Sequence, residues 1–297
     1  MSRSPHLLAC AVLGALLAAA PAAAQLSENL GSLSGDNAKG YLHPLNSALS
    51  GTMNAAIFQT GKVPKASPSF QIGVRVMGVT LPDDERTYRP TPPPGFTPIE
   101  DVQAPTVTGS GTAVAQQGQG GTTLYHPGGF DIGEFAFAAP QLSVGGLFGT
   151  RLVARWISVE LGDSDLGSFD LFGVGAQHSI SQYVPAMPFD LAAGLFYQSF
   201  SIDDDLVKSS ALHLNVTASK SFGLVQPYLG VGYDTFELEA EYEDDTNPGN
   251  NIAVKLDKKS NAHLTLGLMV GFPVVKLYAE GNIAAANGAA VGLSFGN

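Results

Sequence analysis

Beyond residue 24, apolar and polar residues alternate with a period of two over most of the chain, the spacing that turns successive side chains to opposite faces of a strand. Residues 211–222 set Leu212, Leu214, Val216 and Ala218 against His213, Asn215, Thr217 and Ser219. Residues 262–272 set Ala262, Leu264, Leu266, Leu268 and Val270 against His263, Thr265 and Gly267. Residues 275–283 set Val275, Leu277, Ala279 and Ile283 against Lys276, Tyr278, Glu280 and Asn282. One face of each stretch is oily and the other polar. The pattern predicts strands near 52–60, 69–80, 132–146, 150–160, 166–181, 187–202, 206–221, 224–242, 252–271, 273–284 and 287–296, eleven in all. Many exceed the roughly five or six residues of a globular strand and reach the ~9–11 that cross a bilayer at a tilt.

A sheet whose oily face meets lipid has to close, because an open edge leaves backbone N–H and C=O groups unpaired in hydrocarbon. Bacterial single-chain barrels close with an even strand number, so the expected fold is an all-β, antiparallel transmembrane β-barrel of about 10–12 strands. Residues 52–297 are the expected barrel, and residues 25–51 are a candidate lumen plug, with the small and apolar residues of 42–58 available to fill the bore. A soluble exported β-sandwich would show the same alternation over a shared protein core.

The connections separate the two. Residues 145–149, 183–188, 222–224 and 271–273 are short and uncharged, whereas residues 81–130, 162–165, 203–205 and 243–250 are acidic and mostly longer. Short turns at one rim and longer polar loops at the other are the asymmetry of an outer-membrane barrel, with the short turns toward the periplasm. The connection at 285–288 runs against the trend, being short on the loop rim. Phe148, Tyr183, Phe189, Phe222 and Phe272 lie beside the short turns, and Phe295 shares the apolar parity of the last strand. These six are the candidates for an aromatic girdle. Arg75, Arg155, His213, His263, Lys276 and Glu280 alternate with apolar neighbours and are the lumen-facing candidates, since Arg or Lys at the lipid midplane costs about 2–4 kcal/mol. Residues 81–130 are proline-rich from Pro82 to Pro105 and then Gly/Gln/Thr-rich, which predicts a flexible, solvent-exposed external loop.

Residues 1–24 open with Arg3, run apolar from 7 to 20 and end on Ala22-Ala23-Ala24, the layout of a signal peptide cleaved near Ala24. Cys10, the only cysteine, lies inside it, so the processed chain has no disulfide, thiolate metal site or cysteine nucleophile. No later apolar run approaches the ~20 residues of a membrane helix. Only 14% of residues are charged and 44% are hydrophobic, a supply suited to a large core or a lipid-facing surface. A formal charge of −11 with no basic stripe excludes a nucleic-acid binder that tracks phosphates.

Chemistry is sparse. The histidines lack the spacing of a helical zinc site, and Gly31-Ser32-Leu33-Ser34-Gly35 puts Leu33 where a hydrolase elbow needs serine. Gly173-Val174-Gly175 lies inside a strand with no helix after it, and the acidic loops lack the calcium-loop frame. No catalytic residue, cofactor or metal ligand set is therefore assigned, and an enzyme is not expected.

The stretch Gly73-Val74-Arg75-Val76-Met77-Gly78-Val79-Thr80-Leu81-Pro82-Asp83-Asp84-Glu85-Arg86-Thr87-Tyr88 resembles an uncharacterised family of exported bacterial proteins regarded as outer-membrane barrels. The segments Gly40-Tyr41-Leu42-His43-Pro44-Leu45 and Pro140 to Thr150 share the resemblance, which covers most of the processed chain. It implies location and fold, and it brings no activity or catalytic residue. The chain departs from the common barrel pattern in carrying Gly296-Asn297 after Phe295.

The expected function is an outer-membrane barrel acting as a passive or hydrophobic-solute channel. Its expected partners are outer-membrane lipid, lipopolysaccharide and, during insertion, the barrel-assembly machinery. The alternatives are a structural or adhesive surface barrel using loop 81–130, a soluble β-sandwich and a barrel enzyme.

Overall fold

The computed structural model describes residues 20–160, 168–202, 206–245, 247, 249–257 and 259–297. Most of residues 1–24, the expected signal peptide, and the acidic connections at 162–165 and 203–205 lie outside the described residues. Ten antiparallel strands close into one ring: β1 (Ala66–Thr80), β2 (Glu134–Leu147), β3 (Thr150–Glu160), β4 (Ser168–Ser179), β5 (Asp190–Ile202), β6 (Val207–Ser219), β7 (Val225–Glu243), β8 (Asn251–Lys255, continued by Lys259–Gly271), β9 (Val275–Ile283) and β10 (Gly288–Gly296). Each pairs with the next, and the ring shuts where Ile72 of β1 faces Phe295 of β10 and Val76 faces Val291. The turns after β2, β4, β6 and β8 gather at one rim, which we call the lower rim. The tight turn after β2 needs left-handed backbone at Phe148 and Gly149, with φ of 53° and 68°.

Two strand expectations are corrected. The predicted strand at 52–60 is absent: residues 20–53 form α1 (Ala20–Gly31) and α2 (Gly35–Met53), and residues 54–65 run on without joining the sheet. Their polar backbone groups are met by side chains of the wall instead of a ladder partner, so period-two apolar spacing there does not make a strand. The strand at 252–271 is interrupted. Pairing with β7 shifts by one residue between Lys255 and Lys259, and the inward parity changes from Ile252, Val254 and Leu256 to His263 and Thr265.

Helix α2 carries Pro44 in its interior, and no side-chain bond caps it at Ser34, so its own sequence favours it weakly. Packing supplies the rest. Ala38, Tyr41, Leu42, Leu45, Leu49 and Met53 recur at helical spacing and pack, with Leu26 and Leu30 of α1, against Leu171, Phe200, Phe236, Leu238 and Tyr242 of the wall.

The expectation of a flexible, solvent-exposed loop at 81–130 is a third correction, because residues 81–133 fold over these helices. Thr87–Tyr88 pairs with Ala104–Pro105, and Val114–Gln117 pairs with Thr123–His126. The Val107 N–H donates to the Tyr41 carbonyl at 2.9 Å, Thr91 N–H to Asn37 Oδ1 at 2.8 Å, and Asn29 Nδ2 to the Gly128 carbonyl at 3.0 Å. Proline and glycine here shape a lid whose backbone groups are committed to partners.

The wall changes character with height, most clearly on β7. In its lower part Leu229, Val231 and Tyr233 point out and are exposed, while Gln226, Tyr228 and Asp234 point in. Above Asp234 the order reverses, with Phe236, Leu238, Ala240 and Tyr242 buried inside and Glu237, Glu239, Glu241 and Glu243 on the outer side. Strand β6 follows it, with Leu214 and Val216 outside below and Lys208 and Ser210 outside above.

Candidate functional site

The lower lumen is where polar chemistry converges. Residues 53–61 descend through it, and side chains from eight of the ten strands reach them. Arg75 of β1 donates to Gln59 Oε1 at 3.4 Å, and Gln141 of β2 to the Ile57 carbonyl at 3.4 Å. From β4, Gln177 donates to the Thr60 carbonyl at 2.9 Å; from β5, Gln198 donates to the Met53 carbonyl. The Gly61 N–H donates to Ser219 Oγ of β6 at 3.0 Å, and Gln226 of β7 to Thr60 Oγ1 at 2.8 Å. Only a segment inside the ring can meet so many walls at once.

Arg155 of β3 is the centre of this grip. Its guanidinium is fully buried and donates to Gln141 Oε1 at 2.7 Å, to the Met53 carbonyl at 3.3 Å, to the Ala55 carbonyl at 2.8 Å, and to the Ala56 carbonyl. Facing it from β9, Glu280 accepts the Ala56 N–H at 2.7 Å. Ala56 is thus held from two walls, in left-handed backbone with φ of 54°, a conformation costly to a residue with a Cβ. Wall glycine makes room for the descending chain: a Cβ on Gly194 would run into the ring of Phe58.

A second buried cluster sits beside it. Asp234 bridges two imidazoles, with Oδ1 2.6 Å from His213 Nδ1 and Oδ2 2.6 Å from His263 Nδ1. His263 Nε2 lies 2.9 Å from Asn282 Oδ1, and Asn282 Nδ2 donates to Glu280 Oε1 at 3.0 Å. Tyr228 donates to the other oxygen of Glu280 at 2.7 Å. Glu280 thereby joins this cluster to the grip on Ala56. The two Nδ1 atoms and the Asp234 carboxylate lie within 4.8 Å of one another and form the described cluster with metal-ligand chemistry. A tetrahedral zinc with ligands at about 2.1 Å would require the 2.6 Å contacts to open to about 3.4 Å. As they stand they are hydrogen bonds.

Above the polar layer the lid seals the upper mouth. Burial pushes the Tyr41 hydroxyl up to about 12, against the opposing bond from Asn29, so it stays protonated and donates to the Gly128 carbonyl at 3.0 Å. Tyr88 is raised by burial and by nearby Tyr41. His126 is lowered by burial and shares a 3.1 Å bond with Gln116 Oε1, the amide of Gln116 being oriented by its donation to the Glu100 carbonyl at 3.0 Å.

Of the expected lumen residues, Arg75, Arg155, His213, His263 and Glu280 are buried inside the ring, and Lys276 is half-buried near the lower rim, its Nζ 3.4 Å from the Gly296 carbonyl. Arg75, Arg155 and Glu280 meet the descending chain, whereas His213 and His263 meet through Asp234. Of the girdle candidates, Phe148, Tyr183, Phe189, Phe222, Phe272 and Phe295 are all exposed near the lower rim, Phe148 to 82%. The sequence reading missed Gln141, Arg151, Gln177, Gln198, Gln226 and Asp234. Each shares the inward parity of its strand, so parity alone could have found them.

A family model described as a family of unknown function, DUF6588, matches residues 1–297. The chain belongs to that family. No curated protein matches this DUF6588 chain. Among solved structures it is similar to OmpF of Salmonella typhi in complex with daunomycin, at 10% identity and a TM-score of 0.18, covering 77% of this chain and 97% of that one. It is also similar to OccK2 (OpdF) of Pseudomonas aeruginosa in complex with glucuronate, at 9% identity and a TM-score of 0.17, covering 81% and 99%. At such scores the DUF6588 barrel stands on its own strand pairing.

Proposed function

We propose that this DUF6588 protein is a transport-type barrel of the bacterial outer membrane, a passive channel held shut by its own residues 25–65. The observation that carries the reading is the lower wall, oily outside and polar inside around the whole ring. Leu266 is 68% exposed and Val231 57%, while their neighbours Thr265 and Gly230 face the lumen. In water that outer surface would be an apolar patch far larger than monomeric soluble proteins carry; lipid tails cover it at no such cost. The exposed aromatics of the lower rim then form the periplasmic girdle, the acidic upper rim meets lipopolysaccharide headgroups, and the barrel-assembly machinery inserts the exported chain. Because residues 53–61 fill the bore through hydrogen bonds that water can replace, they form the movable part of the closure.

Planar-bilayer recording of the purified barrel, alone and with residues 26–50 deleted, tests the proposal. The intact protein is expected to be nearly silent and the deletion variant to conduct. Silence in both, with the deleted barrel still showing heat-modifiable migration on gels, overturns the channel; a protein that stays monodisperse without detergent overturns the membrane location.

A further inference from the structure

Below the grip on Ala56 the lumen widens into a cavity of about 390 Å³, lined by residues 57–64 of the descending chain, the lower wall and the turns of the lower rim. Four cationic side chains line it, Lys62, Arg75, Arg151 and Lys276, and no aspartate or glutamate is among the lining residues. That imbalance is unusual in a chain with 26 acidic against 15 basic residues. The partners of the two arginines are neutral. Arg75 donates to Ser294 Oγ at 2.9 Å, to the Leu293 carbonyl at 3.3 Å and to Gln59 Oε1, and its guanidinium lies 4.4 Å from the centre of the Tyr278 ring. Arg151 donates to Gln177 Oε1 at 3.3 Å and to the Lys62 carbonyl at 3.0 Å. Glu280 does not line the cavity, its oxygens being taken by Ala56, Tyr228 and Asn282.

Two donors in this cavity are left over. Arg75 Nε and Gln59 Nε2 are buried and have no hydrogen-bond partner among the described residues, although the residues are only 3% and 5% exposed. They are neighbours: Gln59 turns its Oε1 toward Arg75, which leaves its amide N–H groups and the Arg75 Nε–H without an acceptor. Buried donors in native proteins are nearly always satisfied. Close approach is built in, because a Cβ on Gly292 would come within 2.6 Å of Arg75 Cδ. Unsatisfied N–H donors beside four cationic side chains in a partly desolvated pocket are the chemistry that binds oxyanions.

We propose that this cavity binds a small solute bearing a phosphate or carboxylate group, entering from the lower rim, with Arg75 and Gln59 donating to its oxyanion and Lys62, Arg151 and Lys276 supplying the field. Its size falls in the range of small-molecule sites, about 300–1,000 Å³. The assignment of the lower rim to the periplasm rests on the membrane reading above; the binding site itself does not.

Isothermal titration of the full-length barrel in detergent at low salt tests it, with inorganic phosphate, succinate and glucose as probes. Saturable one-to-one binding of phosphate or succinate, and none of glucose, is expected; phosphate alone assigns a phosphoryl group and succinate alone a carboxylate. Arg75→Gln should weaken that binding about tenfold or more, and the double variant Lys62→Gln/Lys276→Gln at the lower rim, which leaves the grip on Ala56 untouched, several-fold. Absence of saturable heat with both anions overturns the site, as does equal affinity in the wild type and the lysine double variant. Silence of both the intact barrel and the variant lacking residues 26–50, together with saturable anion binding, would remove the channel and leave this site standing.

Discussion

The upper and lower halves of the lumen are closed by the same stretch of chain in opposite ways. Above, α1 and α2 bury Leu26, Leu30, Leu42 and Met53 against Phe236, Leu238 and Tyr242, under the folded lid. Below, residues 54–61 are held by glutamine, arginine and serine side chains. The upper closure is a protein core in all but location, and opening it would expose apolar surface at ~25 cal/mol per Å². The lower closure exchanges one set of hydrogen bonds for another with water, a net of about 0.5–1.5 kcal/mol for each ordinary bond. A lumen can therefore be anchored and gated by one continuous segment, with the anchor in its helices and the gate in its extended part.

Removing Arg155 should break this contrast most sharply. Arg155→Ala leaves the Ala55 and Ala56 carbonyls without their donor and the Met53 carbonyl with Gln198 alone, and is expected to cost about 2–5 kcal/mol, at about 1–3 kcal/mol for each buried acceptor left unsatisfied. Leu42→Ala should cost about 2–5 kcal/mol as a core cavity. The two differ in location: proteolysis of the folded barrel should cut within 54–65 for Arg155→Ala and in α2 or the lid for Leu42→Ala. The same cleavage pattern for both would show one cooperative closure instead of two.

The outer wall sharpens the same division. Val231→Arg, in the oily lower part of β7, should destabilise the inserted barrel by about 2–4 kcal/mol in urea unfolding from lipid vesicles, whereas Glu241→Arg, above the reversal at Asp234 and opposite Ala253, should change it by less than about 0.5 kcal/mol. Equal effects would mean that β7 does not leave the bilayer near Asp234.

The smallest expected effect belongs to the lid. Burial holds the His126 pKa below its ordinary 6.5, so the folded lid favours neutral imidazole and the unpacked lid binds the extra proton. Its contribution is present above pH 6.5 and fades as pH falls below that value. Hydrogen exchange across 114–126 should be faster at pH 5 than at pH 7.5 after correction for intrinsic rates, and His126→Gln should flatten the difference.

Most of the wall was legible because its oily outer face and polar lumen put opposite residue types at alternate positions, as in Leu212 to Ala218 of β6. The same rule failed on β7, where the order reverses at Asp234, and on β8, where the register shift changes parity. Helix α2 was missed although Ala38, Tyr41, Leu45, Ala48 and Thr52 keep helical spacing, since Pro44 and several glycines argue against a helix that only the surrounding wall stabilises. The grip on Ala56 was half visible: parity placed Arg155 and Glu280 inside, but nothing local in sequence says that they meet a backbone about 100 and 224 residues away.

The junction of β1 with β10 has a bearing on biogenesis. Helices α1 and α2 lie beneath an upper mouth covered by residues 81–133, and the lower end of α2 is tied to β1 through the descending residues 54–65. A completed hoop would have to admit a helix about 10–12 Å across, end first, past that cover. The partners at this last seam are also the farthest apart in sequence, which makes their meeting slow. The hoop therefore shuts around its contents like staves drawn onto a mandrel.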